Sequence, residues 1–370
     1  MSKKKVLFLI PHLQNQGPVV QLYSLLKNIA QEQFSLYILT IYPERENSMI
    51  ELFRELGVEI FCGNLKKWQI FLQKRLVAKT VKNIAPAVVH SCSTITDGLC
   101  SSINLRRPLI ITLHNNIYED VVVQYGKVIG GYLCRQERKA ILKADYVIPC
   151  SNTLKRQYEK LIPRKYVAIP NGIETEKWVN DTGLDKKSLR EKLGLPLDKF
   201  VIISTGALIE RKNPLMLIEA FKEAELNDSI LLILGDGVLM NRCKEAANEH
   251  IFFTGRVSNV MEYLYASDLL VSASSAEGLP YAILEAECTG IPMILSDIPQ
   301  HREALGENAK KVTFFMNGSI QELKKALNEN INTTMHRHKY QVKAISARNM
   351  ANEYMNVYNN VIFYQTADKT

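Results

Sequence analysis

Short apolar runs alternate with longer stretches of helical periodicity along almost the whole sequence. The apolar runs are three to eight residues long and rich in β-branched residues, which favours strands over helices. Continuous apolar strands between helices are typical of a parallel sheet that helices cover on both faces. The sequence therefore predicts an α/β fold. The predicted strands are residues 6–10, 34–41, 58–61, 87–90, 109–113, 146–148, 166–169, 200–204, 230–234, 251–253, 269–273, 293–295 and 311–314.

The alternation is interrupted once, between residues 170 and 198. The turn signal Pro-Asn-Gly at 170–172 precedes a polar segment that contains two glycines and a proline. The 370 residues are enough for two domains. We predict two Rossmann-like, doubly wound parallel-sheet domains, at residues 1–170 and 171–351. A helical pattern runs from about residue 334 to 364, and a last helix at about 352–370 is expected to pack back on the first domain.

Composition limits the compartment and the partners. No apolar run reaches the roughly 18 residues of a membrane-spanning helix, and the run at 6–10 is too short for a secretory signal. The seven cysteines form no C-x-x-C pair, as expected for reduced thiols, so we expect a cytoplasmic protein. Residues 1–172 contain 24 Lys and Arg against 12 Asp and Glu, whereas the remainder contains 22 against 26. A basic first half faces an anionic partner or is simply a solvated basic surface.

The segment 272–300 contains the most informative motif. A predicted strand ends there, the following loop carries Glu277 and Gly278, and Pro280 favours the start of a helix. Ligands of open α/β sheets bind at the carboxyl ends of the strands, and a helix N-terminus attracts a diphosphate. Gly278 would let the backbone approach such a ligand, and Glu277 and Glu285 would lie on either side of it.

This motif resembles the donor-binding signature of the retaining glycosyltransferase family 4, in which two glutamates are separated by seven residues. Here it reads Glu-Gly-Leu-Pro-Tyr-Ala-Ile-Leu-Glu-Ala at 277–286. The resemblance implies the GT-B fold, in which two Rossmann-like domains face each other across a cleft. The first domain would bind the acceptor and the second a nucleotide sugar. It also implies that Glu277 contacts hydroxyls of the donor sugar, that Gly278 and Leu279 contact the sugar or the pyrophosphate, and that Glu285 holds the ribose.

Other positions follow the family pattern in order. Gly17 ends the first loop, where the family has a glycine-rich loop near the pyrophosphate, although Pro18 replaces the second glycine. His114 follows the strand at 109–113, where the resemblance implies a catalytic histidine that faces the transferred sugar.

The second domain departs from the pattern at one cation. The family has an arginine directly after the glycine that stands here as Gly206, and a lysine five residues later. Lys212 matches the lysine, but Ala207 occupies the position of the arginine. Arg211 either substitutes for that arginine or has a surface role. Two further positions match the family pattern. Gly235 stands in the turn that the resemblance places near the nucleotide. Arg256 and Val257 stand in the segment that, by the same resemblance, reads the base.

The mechanism that the sequence predicts is metal-independent and needs no cofactor. The chain contains no D-x-D sequence to hold a metal ion on the diphosphate. Lys212, Arg211 and the helix that follows Pro280 would instead stabilise the leaving diphosphate. Attack on the same face as the leaving group retains the anomeric configuration. Glu277 would then position the donor, and His114 would hold a sugar hydroxyl or shield the developing cation.

A basic amphipathic segment at 65–84 is predicted to be a helix. It lies in a stretch from 61 to 96 that contains no acidic residue. Such a helix binds an anionic membrane surface, or it is an ordinary crossover helix that packs its apolar stripe on the sheet, and the two are compatible. The first interpretation predicts a peripheral enzyme with a lipid-linked glycan acceptor in surface polysaccharide synthesis. The membrane-facing cations would be Lys66, Lys67, Lys74 and Arg75.

Two rival functions remain open at the level of the sequence. A nucleotide-sugar epimerase of similar fold would need no acceptor. A non-catalytic basic binding module is the other rival, but the chain lacks a nucleic-acid motif, so no nucleic-acid partner is expected. A hexosyl- or N-acetylhexosaminyltransferase with a UDP-sugar donor, rather than GDP-mannose, is the favoured interpretation.

Overall fold

The structure is a computed structural model that describes residues 3–178, 183–331, 337–338, 340 and 346–367. It divides into two compact units. Unit 1 consists of Met1–Gly172 together with Ile345–Thr370, and unit 2 is Ile173–Ala344.

Unit 1 is built on a six-stranded sheet with the order β3-β2-β1-β4-β5-β6, in which every strand pair is parallel. The strands are β1 (Lys4–Ile10), β2 (Phe34–Thr40), β3 (Glu59–Cys62), β4 (Val88–Ser91), β5 (Leu109–Leu113) and β6 (Tyr146–Pro149). The helices are α1 (Gly17–Asn28), α2 (Ile50–Glu55), α3 (Ile70–Ile84), α4 (Thr94–Ser101), α5 (Ile117–Lys143), α6 (Asn152–Leu161) and, from the end of the chain, α14 (Ala347–Ala367).

Unit 2 repeats the same topology with the order β12-β11-β10-β7-β8-β9, again with parallel pairs. Its strands are β7 (Phe200–Thr205), β8 (Ser229–Leu234), β9 (Ile251–Gly255), β10 (Leu269–Ser272), β11 (Met293–Ser296) and β12 (Thr313–Phe315). Its α-helices are α7 (Lys186–Leu193), α8 (Pro214–Glu223), α9 (Met240–Ala246), α10 (Val260–Ala266), α11 (Tyr281–Thr289), α12 (Pro299–Leu305) and α13 (Ile320–Ile331). Short 3-10 helices lie at Thr175–Trp178, Glu210–Lys212 and Gly306–Lys311.

The prediction of two doubly wound parallel sheets is confirmed. Both sheets reverse their strand order once, between β1 and β4 and between β7 and β10. Such reversals open the crevices in which α/β proteins bind ligands. Right-handed crossovers place α3, α4 and α5 on one face of the first sheet and α1 and α2 on the other. In agreement with this, α4 packs against both α3 and α5, whereas α14 packs against α1.

One predicted strand is wrong. Residues 166–169 do not form a strand, although the N–H groups of Val167 and Ile169 donate to Val147 and Pro149 of β6. Pro149 has no N–H to donate in return, so half of the ladder is missing.

Two predicted helices begin later than expected. Residues 65–69 are not helical, because Gln69 accepts a hydrogen bond from the Lys66 N–H and Gln73 donates to the Lys66 carbonyl, which closes a turn before α3. The helical pattern at 334–364 and the last helix at about 352–370 correspond to α14, which begins at Ala347; the described residues 337, 338 and 340 are not helical. Residues 334–336, 339, 341–345 and 368–370 lie outside the described residues.

A buried polar network joins α14 to the sheet of unit 1. His90 on β4 makes hydrogen bonds of 2.8 Å to the Tyr358 hydroxyl and of 2.8 Å to Thr112. Thr112 lies 3.0 Å from the Tyr354 hydroxyl, which also accepts from Gln21 at 3.1 Å. Burial lowers the pKa of His90 to about 3, so the ring is neutral and can both donate and accept. The C-terminal helix is therefore part of the core of unit 1.

Candidate active site

The sequence-predicted donor residues of unit 2 follow the carboxyl ends of neighbouring strands. Gly206 follows β7, Gly235 follows β8, Arg256 and Val257 follow β9, and Glu277 lies in the loop after β10. Because the strands are parallel, all of these positions lie at one edge of the sheet, which is its ligand-binding edge. A cavity at the switch point is lined by residues that include Thr205, Gly206, Lys212, Ser272 and Ser274.

A buried carboxylate between two cations lies at the centre of this edge. Glu277 is only 6% exposed. Its Oε1 lies 2.5 Å from the Lys212 ammonium and its Oε2 lies 2.6 Å from Arg211 Nη1, which also donates to the Ala276 carbonyl at 2.6 Å. Burial alone would raise the pKa of Glu277, but Lys212 and Arg211 outweigh it and hold the pKa at about 2. Glu277 is thus ionised, and the hypothesis that Arg211 belongs to the site agrees with its geometry.

Glu285 lies in the second turn of α11 and is half-buried. Burial raises its pKa to about 7, and the Lys212 cation lowers it only in part. Lys212 therefore acts electrostatically on both glutamates of the sequence motif. The remaining motif residues, Gly278 and the buried Leu279, lead from Glu277 to the start of α11.

Two glycines let the loops after β7 and β8 touch through their backbones. Gly206 and Gly235 have φ values of +139° and +138°. A Cβ atom at Gly235 would lie 1.8 Å from the Gly206 carbonyl oxygen, so no other residue fits without moving the loop. The Gly235 N–H donates to the Gly255 carbonyl at 2.8 Å, which ties the loop after β9, with Arg256 and Val257, to the same edge. Arg256 is exposed and Val257 packs partly on the core.

A buried histidine that the sequence did not predict, His301, packs against the strands that lead to the Glu277 loop. His301 Nδ1 lies 2.8 Å from the Ser296 carbonyl oxygen, and the Ser296 hydroxyl donates at 2.6 Å to the Ser274 carbonyl. Burial lowers the pKa of His301, with Lys212 acting in the same direction and Glu277 in the opposite one. The neutral His301 ring therefore supports the loop that carries Glu277 through Ser296 and Ser274. The signal in the sequence was a histidine two residues after Pro299, which opens α12.

The predicted catalytic histidine lies in unit 1. His114 follows β5 and is half-buried, and its Nε2 atom is buried with no hydrogen-bond partner among the described residues. Burial lowers its pKa to about 4, so the ring is neutral at physiological pH.

A buried acid that the sequence analysis did not identify supports the loop after His114. Glu137 on α5 accepts hydrogen bonds from the Tyr158 hydroxyl and, at 2.9 Å, from Thr94. Tyr158 in turn lies 3.3 Å from the Asn115 carbonyl oxygen. Burial raises the pKa of Glu137 to about 7, against the effect of these hydrogen bonds. Its position in a helix among basic residues gave no sign of this role.

Gly17 has a different setting from the glycines of unit 2. It is exposed at the first position of α1, and a Cβ there would meet no atom within 4 Å. The loop before it is held instead by Glu44, whose two carboxylate oxygens accept from the Leu13 N–H at 2.9 and 3.1 Å. Gly17 is therefore not required by the local backbone.

Of the predicted membrane-facing cations, Lys66 and Lys67 lie in the turn before α3, and Lys74 and Arg75 lie in its first two turns. Lys66, Lys67 and Arg75 are exposed and Lys74 is half-buried. Trp68 and Phe71 beside them are each 74% exposed. Both predicted features, the basic flank and the packed stripe, occur, since Val77, Val81 and Ile84 of the same helix are buried.

The described part of the chain contains no cluster of three or more His, Cys, Asp or Glu side chains that could hold a metal ion. None of the helices in the described ranges is both long and apolar enough to cross a bilayer.

Comparisons with known proteins agree with this architecture. The family model described as Glycosyltransferase Family 4 matches residues 16–177, and the one described as Glycosyl transferases group 1 matches residues 185–347. An uncharacterised glycosyltransferase of Methanocaldococcus jannaschii is 30% identical over 333 residues, which cover 80% of this chain and 76% of that protein. The crystal structure of HepE from Anabaena in complex with UDP-glucose aligns with a TM-score of 0.76 and 20% identity, over 98% of this chain and 99% of that chain.

One relative is more similar over a shorter stretch. The UDP-Gal:alpha-D-GlcNAc-diphosphoundecaprenol alpha-1,3-galactosyltransferase of Escherichia coli is 40% identical over 147 residues, which cover 37% of this chain and 38% of that protein. The chain thus matches well under half the length of this relative.

Two doubly wound parallel-sheet units, aligned with HepE over 98% of this chain, define the GT-B fold. The matches to both halves and to the relative of M. jannaschii are more specific: the chain belongs to glycosyltransferase family 4.

The close approach of Gly206 and Gly235 generates a prediction about stability. Gly235→Ala places a methyl group against a carbonyl oxygen in a left-handed backbone and is expected to destabilise unit 2 by more than the approximately 1 kcal/mol of backbone strain alone. The measurement is the free energy of unfolding in urea. Gly194→Ala is the matched control, because Gly194 has a φ of +67° but no atom near its Cβ position. Equal losses in the two variants would contradict the clash.

Proposed function

We propose that the chain transfers a hexosyl or N-acetylhexosaminyl unit from a nucleotide-diphosphate sugar to a lipid-linked glycan, with retention, in surface polysaccharide synthesis. The observation that carries the proposal is the Lys212 ammonium at the switch point of unit 2, held by Glu277. The Lys212 ammonium has three N–H groups. One donates to Glu277, and none of the described residues accepts a hydrogen bond from the other two. Two donors are therefore available to the oxygens of a diphosphate.

The charge at this edge suits a leaving diphosphate. Departure of the nucleotide develops negative charge on the phosphates, and fixed cations stabilise that charge without reorganisation. The buried Glu277 carboxylate holds both Lys212 and Arg211 in place, so the cations are oriented before a substrate binds. The N-terminus of α11 adds a partial positive charge on the same edge.

The state of Glu277 supports same-face attack over a covalent intermediate. Both carboxylate oxygens are engaged by cations, and a carboxyl with a pKa of about 2 is a weak nucleophile. In same-face attack, the departing phosphate accepts the proton of the acceptor hydroxyl, so no protein base is needed. The neutral His114 ring fits a hydrogen-bonding role toward a sugar hydroxyl, with no proton transfer.

The relatives support the donor and the acceptor of the proposal. HepE was crystallised with UDP-glucose, and the E. coli relative is named for a UDP-galactose donor and a diphosphoundecaprenol-linked acceptor. UDP is therefore favoured over GDP. An acceptor on a lipid diphosphate carrier also agrees with the basic composition of unit 1, which would meet an anionic membrane surface on the cytoplasmic side.

The decisive experiment measures sugar transfer from a panel of nucleotide sugars to a lipid-diphosphate-linked glycan. We expect transfer from a UDP-sugar, no transfer from GDP-mannose, and full activity in excess chelator. Lys212→Ala should lower turnover about 100-fold or more, the usual cost of removing one electrostatic stabiliser.

The matched control for this assay is Lys222→Ala, which removes an exposed lysine of unit 2 on α8. Turnover that is independent of added acceptor would instead indicate an epimerase. Loss of activity on chelation, restored by magnesium or manganese, would contradict a metal-independent mechanism.

Glu285 should give nucleotide-sugar binding a pH dependence. Because its pKa is raised to about 7, Glu285 is protonated below that pH and becomes a charged acceptor for ribose hydroxyls above it. We expect the affinity for a UDP-sugar, measured calorimetrically, to rise between pH 6 and pH 8. Glu285→Gln should abolish this rise, and Glu285→Ala should weaken binding by about 1–3 kcal/mol.

Glu287 provides the control for the pH dependence. Burial also raises its pKa to about 7, but it accepts a hydrogen bond from Asn308 on the other side of α11. Glu287→Gln should keep the pH dependence of binding. A Glu285→Gln variant that follows the wild-type profile would remove Glu285 from the donor site.

We propose that the exposed start of α3 contacts the membrane. Its cations would bind anionic headgroups, and Trp68 and Phe71 suit the interface, where amphipathic rings are favoured. Changing Lys66, Lys67, Lys74 and Arg75 together to Glu should abolish flotation with anionic vesicles at low salt, because each lysine near such a surface contributes about 1 kcal/mol. Equal flotation of this variant and the wild type would leave α3 as an ordinary crossover helix.

A further inference from the structure

The second half of α5 has an unusual outward face. Gly126, with a φ of +75° and a ψ of +170°, breaks the helix, and residues 127–143 form a separate helical segment about 25 Å long. Its exposed large apolar side chains are Val128 at 87%, Tyr132 at 58% and Leu142 at 58%, with Ile129 beside them. In a crossover helix, apolar side chains of this size are expected to face the sheet and the core of the unit.

These side chains form one stripe with two cations. Val128, Tyr132, Arg135, Lys139 and Leu142 are separated by four, three, four and three residues, which places them within about 80° of one another around the helix. All five are exposed, and no hydrogen bond or ion pair engages the charged ends of the two cations among the described residues.

The acidic residue of this segment is turned away from the stripe. Glu137 is the only acid between residues 126 and 143, and it lies on the opposite side of the helix, buried against Thr94 and Tyr158. Two more cations flank the stripe, Lys127 and Arg138. The charge on the outer face of α5 is therefore only positive, and it is mixed with exposed apolar groups.

The partner of this face must be anionic and must accept aliphatic side chains. A second copy of the chain would place like charges opposite each other in a symmetric contact. A nucleic acid would favour aromatic platforms for stacking, but Val128, Ile129 and Leu142 are aliphatic. The surface of an anionic bilayer satisfies both requirements, because headgroups pair with Lys and Arg while acyl chains receive apolar side chains.

The topology places this stripe in the same layer as the start of α3. Helices α3, α4 and α5 cover one face of the sheet, and α4 lies between the other two. Residues 60–143, which contain this layer, include 13 Lys and Arg against four Asp and Glu, two of which, Asp97 and Glu137, are buried. Six acids lie instead at 32–59, in the part of the chain that contains α2.

We infer that the outward stripe of α5 is a second membrane-contact surface, so that unit 1 engages an anionic bilayer through two helices of one layer. The inference rests on the proposed function in so far as that function places the acceptor in a membrane. Contact along two helices would fix the orientation of unit 1 on the bilayer, which a single anchoring point leaves free to rotate.

The test is flotation with vesicles of phosphatidylcholine that contain about one third phosphatidylglycerol, at low and high salt. The first variant combines Arg135→Glu and Lys139→Glu, and the second combines Val128→Ser, Tyr132→Ser and Leu142→Ser. We expect each to lower the partition coefficient at least tenfold at low salt, with α3 intact. The charge control is Lys244→Glu with Lys310→Glu, two exposed lysines of unit 2, and the apolar control is Val238→Ser. Both should float like the wild type.

A second measurement separates insertion from long-range attraction. Tyr132→Trp in a background with Trp68→Phe and Trp178→Phe, which removes both native tryptophans, should show a blue-shifted emission with anionic vesicles and quenching by brominated acyl chains. The inference is overturned if the α5 variants float like the wild type, if the wild type does not float, or if the new tryptophan stays in water. Retention on oligonucleotides without flotation would also overturn it, in favour of a nucleic-acid partner.

Failure of this inference can be distinguished from failure of the proposed function. The α5 variants keep Lys212, Glu277 and Glu285, so transfer to a water-soluble acceptor analogue should be unchanged in them. Normal transfer with unchanged flotation would reject the α5 surface alone. Absence of transfer in the wild type, with α5-dependent flotation, would reject the function alone.

Discussion

The candidate site depends on the neutralisation of one buried carboxylate. Glu277 is ionised in surroundings where an isolated charge would be unstable, and Lys212 and Arg211 make it tolerable. The same ion cluster joins two loops, because Ser275 donates its N–H and its hydroxyl to the Arg211 carbonyl. The loop after β10 and the 3-10 helix after β7 are therefore fixed relative to each other by the residues that would meet the substrate. Removing one cation leaves one oxygen of the buried Glu277 carboxylate without its ion-pair partner, so site and local stability are coupled.

The parallel topology explains why few residues suffice to build this edge. Every strand of the second sheet ends on the same side, so loops that are far apart in sequence meet there without any long insertion. Close contact between the first two loops then requires residues without side chains, and Gly206 and Gly235 provide them. The fold supplies the position of the site, and a few residues at strand ends supply its chemistry.

The fold was predictable from the sequence because buried parallel strands are continuous apolar runs, and twelve of the thirteen predicted runs became strands. The exception, at 166–169, has the right composition but lies beside Pro149, and a missing N–H is a property of the neighbour that periodicity does not show. The motif around Glu277 also predicted the edge at which the ion cluster lies. His301 and Glu137 were not predicted, because a buried supporting residue is defined by what packs against it in three dimensions.

Ala207 stands where the family pattern has an arginine, so the guanidinium of the ion cluster belongs to another residue. Arg211 provides that guanidinium, four residues later, on the 3-10 helix that also carries Lys212. From there it binds Glu277 and the Ala276 carbonyl, so its charge remains in the cluster. Arg211 is thus engaged with the carboxylate, whereas Lys212 keeps N–H bonds that none of the described residues accepts. This division of roles requires Glu277 to stay ionised, which the low pKa ensures throughout the physiological range.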